Sequence, residues 1–382
     1  MTYHEETGVS IVVRSSLAEG TNIVATLDNN ISNYSHSLSA NGGFDKMSVT
    51  ISDDRISLDD WIERGLARHI VVYNFGGEIC WEGFVNSVNA QLGGQQITIG
   101  PLMEIGNRVS VSYSPVDNTV SPPTSGKTTS TLIVENEVSQ SRYGIIETVL
   151  SGGRVTDTEA ELIRDTFLIE RAFPGTSSTI SVGQSSSPTV TLECLGYWYW
   201  ANAYVFNESD TGTIWVHDRI IDILEANPNT GMYGTIIADD NLSLITKESV
   251  ENKIAMAHLK ELLALGGASD QRYTLGIYEN RTAYYKEIPT TPAYRTEMSD
   301  QGQRILTYNG AIVYPWDVRP AQWIFVSDSL IGRYTDTTNY YEDPRYMFIE
   351  KVDYSIPWGL TLSGSRVGTY DQLLAKMGLG DF

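Results

Sequence analysis

The sequence predicts a mainly β protein with inserted helices (α+β), and three observations carry that prediction. Strand-length runs fill the chain up to about residue 114 and return after residue 273. Glycine turns punctuate the first stretch at regular intervals, and most apolar residues at helical spacing fall between the two β regions. With 382 residues the chain is long for one ordinary core, so two or three domains are expected.

In the first region VSIVVRS (9–15), TNIVATL (21–27), KMSVTIS, HIVVYNF (69–75), ICWEGFVNSV (79–88) and QQITIGP (95–101) have strand length. In KMSVTIS the alternation puts Met47, Val49 and Ile51 on one face and Ser48, Thr50 and Ser52 on the other. NGG at 41–43, FGGE at 75–78 and LGG at 92–94 are turn signals, and the second of them predicts a hairpin of HIVVY with ICWEGFV. The region reads as a compact antiparallel sheet, sandwich or barrel. The Pro- and Ser/Thr-rich stretch 114–131 is a loop or linker.

Helical signals follow. SRYGIIETVLSGG places Tyr143, Ile146, Val149 and Leu150 on one face. Thr156 or Asp157 caps TEAELIRDTFLIERAF, with Glu159 at the capping-box position and Leu162, Ile163, Phe167 and Ile169 as its apolar side. A strand pair, STISVGQ and PTVTLECLGYWYWANAYVFN, is expected, the second carrying YWYW at 197–200 with two aromatics pointing to each face. TIWVHDRIIDILEANPN predicts a helix with a stripe of Trp215, Ile220, Ile223 and Leu224, and SVENKIAMAHLKELLALGG one with Ile254, Ala257, Leu259, Leu262 and Leu263, closed by Gly266. The β pattern then resumes with YTLGIYENRTAYYKEI (273–288), RILTYNGAIVYPW, QWIFVSD and RYMFIEKVDYSIPWGLTLSG, and the end of the chain reads as a short helix and a loose tail. HIVVYNFGGEICWEGFV and YTLGIYENRTAYYKEI share a layout that suggests an internal duplication.

The chemistry-bearing residues argue for architecture. His4, His36, His69, His217 and His258 fall at no metal-ligand spacing, and Cys80 and Cys194, set among apolar residues, read as buried free thiols. No phosphate-cradling or nucleophile-elbow motif occurs. Asp53/Asp54, Asp59/Asp60, Asp239/Asp240 and Glu342/Asp343 lie in polar, turn-like segments where solvated acids are the rule, and Glu279 and Glu287 flank the 273–288 hairpin. No catalytic, cofactor-binding or metal-binding residue is assigned, and no cofactor is expected. With 26 Lys+Arg against 47 Asp+Glu the net charge is −21, which argues against a phosphate-gripping protein; it serves solubility in the first place, and a surface that nucleic acid slides past is the sharper alternative. No apolar run reaches membrane-spanning length and the N-terminus lacks a signal-peptide pattern, so a chain made in a cytoplasm without a membrane anchor is expected. The eight tryptophans and 22 tyrosines fit a core or a protein interface better than a sugar platform.

Several stretches together resemble the central hub proteins of bacteriophage tails (baseplate or tail-tip hubs): ISNYSHSLSANGGFDKMSVTIS (31–52), GLARHIVVYNFGGEICWEGFV (65–85), ENKIAMAHLKELLALGG with RYTLGIYENRTAYYKEI (251–288), GAIVYPWDVRPAQWIFV (310–326), and IEKVDYSIPWGLTLSG (349–364). The resemblance implies two tail-tube-like antiparallel β-barrel domains: residues 1–114, and residues 249–364 with a leading helix. Residues 115–248 would be a mixed helix/strand insertion and 365–382 a tail. It also implies a non-enzymatic virion protein at the tail tip. Three copies would form a ring that adapts a sixfold tube to a threefold tip. The ring would contact tail-tube, distal-tail and other tail-tip proteins, and pass DNA through its channel without binding it specifically. A glycan-binding or glycan-cleaving protein, and a distal-tail or tube protein, are the alternatives. On the hub reading, GAIVYPWDVRPAQWIFV (310–326) is architecture: Asn309-Gly310 turns a hairpin, Pro315 ends a strand, Trp316 and Trp323 cover the end of the second barrel or a seam between subunits, and Arg319 pairs with an acid there.

Overall fold

The computed structural model describes residues 9–28, 30–52, 54–117, 124–183, 185–209, 211–247, 250–267, 271–299, 304–327, 346–355 and 359–364. His4, Asp53, Glu342, Asp343 and the expected C-terminal helix lie outside them.

The chain is mainly β, as expected, and one large sheet organises it. Its strands run in the order Gly359–Ser363, Lys351–Ser355, Ile31–Ser39, Gly42–Ser52, Thr189–Gly196, Ile79–Leu92, Arg68–Tyr73, Ser10–Ser16 and Ile23–Leu27. The hairpin Tyr273–Ile277/Ala283–Glu287 joins in parallel at the start of Gly42–Ser52, through Gly276 opposite Gly42 and Ile277 opposite Gly43. Gln95–Ile99 and Thr176–Ile180 extend the sheet along the far half of Ile79–Leu92. Among the described residues the outer strands Ile23–Leu27 and Gly359–Ser363 each pair on one edge only, and no barrel closes.

The regions expected as barrels at 1–114 and 249–364 both contribute strands to this sheet. Thr189–Gly196, expected within an insertion, is the middle strand, bonded to Gly42–Ser52 on one side and Ile79–Leu92 on the other. Lys351–Ser355 pairs with Ile31–Ser39. Long-range pairing of this kind leaves no periodicity in the sequence; it depends on which edges are free when the chain returns. The register follows the alternation: Met47, Val49 and Ile51 are buried, while Ser48 and Thr50 are half-buried and Ser52 is exposed. Trp81, Tyr34, Phe44, Phe84, Met47 and Ile11 are fully buried in the same core, each large apolar side chain contributing about 1.5–3 kcal/mol by leaving water.

A second sheet centres on Arg108–Asp117, with Glu147–Val155 parallel to it. Here the expected helix SRYGIIETVLSGG is overturned. Helix α2 (Glu137–Tyr143) stops at Gly144, whose φ of 82° an L side chain resists, and the residues after it are a strand. Helix α3 (Asp157–Arg171) forms as expected, with the Thr156/Glu159 capping box complete. A third sheet holds Ala311–Ile312, Arg304–Tyr308, Tyr294–Met298, Trp323–Val326 and Tyr346–Phe348.

YWYW is not a strand. Tyr197–Asn202 is a 3-10 turn in which Tyr197, Trp198 and Trp200 are buried and Tyr199 is half-buried, so there is no aromatic platform. Two further helices pack there. Val216–Glu225 buries Ile220, Ile223 and Leu224 but leaves Trp215 outside as the residue before it. Ala255–Leu265 buries Leu259, Leu262 and Leu263, while Ala257 is exposed and Ile254 ends a strand. The sequence reading also passed over a helix at Arg55–Arg64, capped by Asp54 accepting from the Ser57 amide (2.8 Å) and seated through Leu58 and Trp61.

At the hairpin junction Gly43 has φ +76°, and a Cβ there would stand 2.4 Å from the Ile277 carbonyl oxygen. Gly43→Ala combines left-handed strain with overpacking, so it should lower stability by roughly 2–4 kcal/mol in denaturant titration. Unchanged stability would contradict the junction.

Candidate functional site: the seam between the two β regions

Where the 273–287 hairpin turns over the first region, the chain makes a polar seam. The turn Glu279–Arg281 holds Asn280 (φ 56°) and Arg281 (φ 59°) in the left-handed region, which asparagine tolerates and arginine adopts at a cost of about 1–2 kcal/mol. Contacts to the first region offset that cost. The Arg281 amide donates to Glu82 Oε2 (3.2 Å), its Nη1 donates to the Gly231 carbonyl (2.7 Å), and its Nε stands 4.0 Å from Glu82 Oε1.

Glu82 lies in the middle of Ile79–Leu92, buried at 3 % exposure. His69 Nε2 is 3.4 Å from its Oε1, and His69 Nδ1 is 2.5 Å from the Tyr197 hydroxyl. Burial pushes the Glu82 carboxyl up to about 7, against the pull of the Arg281 charge and amide. Burial, with Arg281 and Arg14 nearby, brings His69 down to about 3. At neutral pH the imidazole is therefore uncharged, and its 3.4 Å approach to Glu82 is not an ion pair. The seam joins side chains from Arg68–Tyr73, Ile79–Leu92, the YWYW turn and the second hairpin.

A second tie lies beside it in the 310–326 stretch. Asn309 (φ 48°) and Gly310 (φ 84°) turn the hairpin, and Pro315 opens a 3-10 turn, Pro315–Asp317. Trp316 is buried, stacked on Tyr314 (5.2 Å between centroids, 4° between planes) and set edge-on to Phe75 (5.8 Å) from the FGGE turn. Trp323 is buried against Phe348. Arg319 pairs with Glu279 and lies 5.5 Å from the rings of both Phe44 and Tyr278. Its amide donates to the Tyr294 hydroxyl (3.0 Å). The stretch is thus a strap between the two β regions within one chain, and the expected acid partner is Glu279.

Behind the strap, Tyr34, His36 and Tyr354 form a buried aromatic group, with the Tyr34 hydroxyl 2.8 Å from His36 Nδ1. Burial, then the Arg319 charge, brings His36 down to about 3. His258, stacked on Phe206, is brought down to about 4, first by burial.

The other sequence candidates serve structure. Asp60 pairs with Arg68 (2.6 Å), and Asp239 pairs with Lys286 (2.7 Å) and accepts from the Glu287 amide. His217 Nδ1 accepts from the Asn241 amide (3.1 Å). Cys80 and Cys194 are buried free thiols, and burial pushes both up, Cys80 to about 12, so neither is a nucleophile near neutrality. Among the described residues no three His, Cys, Asp or Glu side chains come together to hold a metal ion, and no helix is long and apolar enough to cross a membrane. Glu279 and Glu287 do share a feature: both line an open groove of about 260 Å³ with Tyr278, Tyr284, Lys286 and Arg319. The Glu82–Arg281 contact was absent from the sequence reading; an acid flanked by Trp81 and Gly83 in a buried run was its only signal.

No protein-family model matches the chain, and no curated protein matches it. Among solved structures it is similar to the tail protein from Neisseria meningitidis MC58, at 8% identity over 96% of this chain and 99% of that one, with a TM-score of 0.41. It is similar also to the 43 kDa tail protein of prophage MuSo2 from Shewanella oneidensis, at 10% identity over 95% and 98% of the two chains (TM-score 0.41). A third is prophage tail protein gp18 from Listeria monocytogenes EGD-e, at 8% identity over 97% and 99% (TM-score 0.38). At these scores the likenesses are distant and carry no argument about function.

Glu82 makes the seam testable by pH. Its carboxyl is raised in the fold, so the native state holds an extra proton between the ordinary carboxylate value and about 7, and this contribution falls as pH rises through that window. The lowered histidines act in the opposite sense, losing stability as pH falls below about 6.5. Glu82→Gln removes only the first effect. Relative to the parent chain, the variant should gain about 2–3 kcal/mol between pH 5 and pH 8 in denaturant titrations. A difference that does not change with pH would refute the assignment.

Proposed function

We propose that the chain is a structural protein of a phage-type tail tip, a hub whose three copies form a ring that continues the DNA channel. The observation that carries this reading is the seam. Two hairpins of similar layout, Arg68–Tyr73/Ile79–Leu92 and Tyr273–Ile277/Ala283–Glu287, stand in one sheet and are fixed to each other by Glu82, Arg281, Glu279 and Arg319. A ring that presents two tube-like units per chain needs them held in one fixed relation, and the hub-like stretches 31–52, 65–85, 251–288 and 349–364 include these hairpins. In this reading the tube-like units are completed by neighbouring copies at the free edges of Ile23–Leu27 and Gly359–Ser363. The net charge of −21 supports a channel that DNA traverses without adhering. The chain would act in the virion at the tail tip, beside tube and distal-tail proteins, with no cofactor and no reaction of its own.

One observation favours a second reading, a saccharide-binding tail-tip protein: the groove between Tyr278, Tyr284 and Glu287 has the mixed ring-and-acid lining that sugars use. It would bind as a monomer, and Tyr284→Ala would abolish binding.

Light scattering of the purified protein, followed by imaging, separates these readings. The hub predicts a trimeric ring with an open centre of about 20 Å or more, the width of a duplex whose grooves measure ~12 Å and ~6 Å. A hexameric ring would transfer the assignment to a distal-tail or tube protein. A monomer that binds a saccharide and loses it with Tyr284→Ala would overturn the hub in favour of the second reading.

A further inference from the structure

Helix α3 leaves Leu162 and Ile169 of its expected apolar side facing water, with only Phe167 of that side half-buried. The sequence reading seats it through Leu162, Ile163, Phe167 and Ile169, yet its buried residues are Ala160 and Arg164, followed by Ala172 at its end. Arg164 Nη1 donates to the Leu132 carbonyl (3.0 Å) and its Nε to Asp165 Oδ1 (2.8 Å), which binds that side to the second sheet. Ala160 packs with Val111 and Tyr113. Small Ala160 and the bonded arginine let the helix lie close to the sheet, with Phe167 and Leu168 half-buried at its margins, while Leu162, Ile169 and Phe173 are left facing out.

Those outward side chains are in register. Leu162 is 66 % exposed, Ile169 82 % and Phe173 44 %, with exposed Thr166 between the first two. Ala172 keeps helical dihedrals (φ −65°, ψ −22°), so Phe173 continues the line. Positions 162, 166, 169 and 173 are spaced four, three and four. That is the seam along which one helix meets another at a shallow angle. Isolated surface leucines need no explanation, but an apolar line over three turns with nothing over it among the described residues does.

Charge selects the occupant. The helix carries Asp157, Glu159, Glu161, Asp165 and Glu170 against Arg164 and Arg171, and Arg164 is turned inward. At 100° per residue, Glu159 and Glu170 flank the line on one side and Asp165 on the other. A second copy meeting this face on its own equivalent would set acids against acids. We propose that the 162–173 line is a docking face for an amphipathic helix of another protein, one with apolar residues at three–four spacing flanked by lysine or arginine.

The test uses the full chain and a labelled synthetic helical peptide with leucine at three–four spacing and lysine elsewhere, followed by fluorescence anisotropy. Saturable binding is expected, weakened at least about ten-fold by the double variant Leu162→Ser/Ile169→Ser and likewise when glutamate replaces the peptide's lysines. Both side chains already face water, so the variant should keep the parent's thermal midpoint. Peptide binding that survives the double variant would be general attraction to an acidic chain and would overturn the proposal. So would absence of binding combined with a fall from oligomer to monomer in the double variant, because a second copy would then be what covers the line.

Discussion

At Gly43 the backbone of one strand meets the backbone of another with no room for a side chain, a Cβ there standing 2.4 Å from the Ile277 carbonyl oxygen. That approach admits the 273–287 hairpin into the sheet begun by the first fifty residues, and much of the architecture depends on it. Once the hairpin is in place, its turn reaches Glu82 through Arg281, and Glu279 is set to receive Arg319. Arg319 in turn fixes the 310–326 strap across Phe44 and Tyr278, and Trp316 closes over Phe75. The aromatic group of Tyr34, His36 and Tyr354 completes the join on the other side of Gly42–Ser52, where Lys351–Ser355 pairs with Ile31–Ser39.

The energetics of the seam are uneven, and that unevenness carries meaning. The ion pair of Arg319 and Glu279 is about one-third exposed at each partner, so its Coulombic contribution is small and the ring contacts matter more. Glu82 is different: it is buried beside an uncharged histidine, and Arg281 is its only cation within ion-pair distance among the described residues. A carboxylate there is costly unless that arginine stays in place. The left-handed backbone of Arg281 persists because so many contacts determine it. Such a device favours a single relation between the two hairpins over a range of relations.

What the sequence made legible was local. Alternation in KMSVTIS, the FGGE hairpin, the Thr156/Glu159 capping box and the Asn309-Gly310 turn each rest on interactions within a few residues, and the structure has each of them. The 310–326 stretch was readable as architecture, but not as a tie within one chain to Phe44 and Phe75, which are distant in sequence. The failures were non-local. YWYW has strand propensity, but burial of three of its rings in the core favoured a 3-10 turn. The apolar side of α3 was identified correctly and its direction was not, because what seats the helix is the fit of Ala160 against Val111 and Tyr113. Pairing of Thr189–Gly196 between distant strands likewise has no signature in either neighbour. Of the site, Arg319 and its acid partner were foreseen, while the Glu82–Arg281 contact spans 199 residues and was not.

The central claim is that the 273–287 hairpin shares one sheet and one core with the first β region. Native-state hydrogen exchange tests it most directly, by comparing the amides of Tyr273–Ile277 with those of Thr189–Gly196. If the claim holds, both sets exchange only through the same global opening, with equal protection and equal response to denaturant. Exchange of the hairpin amides orders of magnitude faster, through an opening that leaves the 189–196 strand protected, would contradict it and restore two independent units.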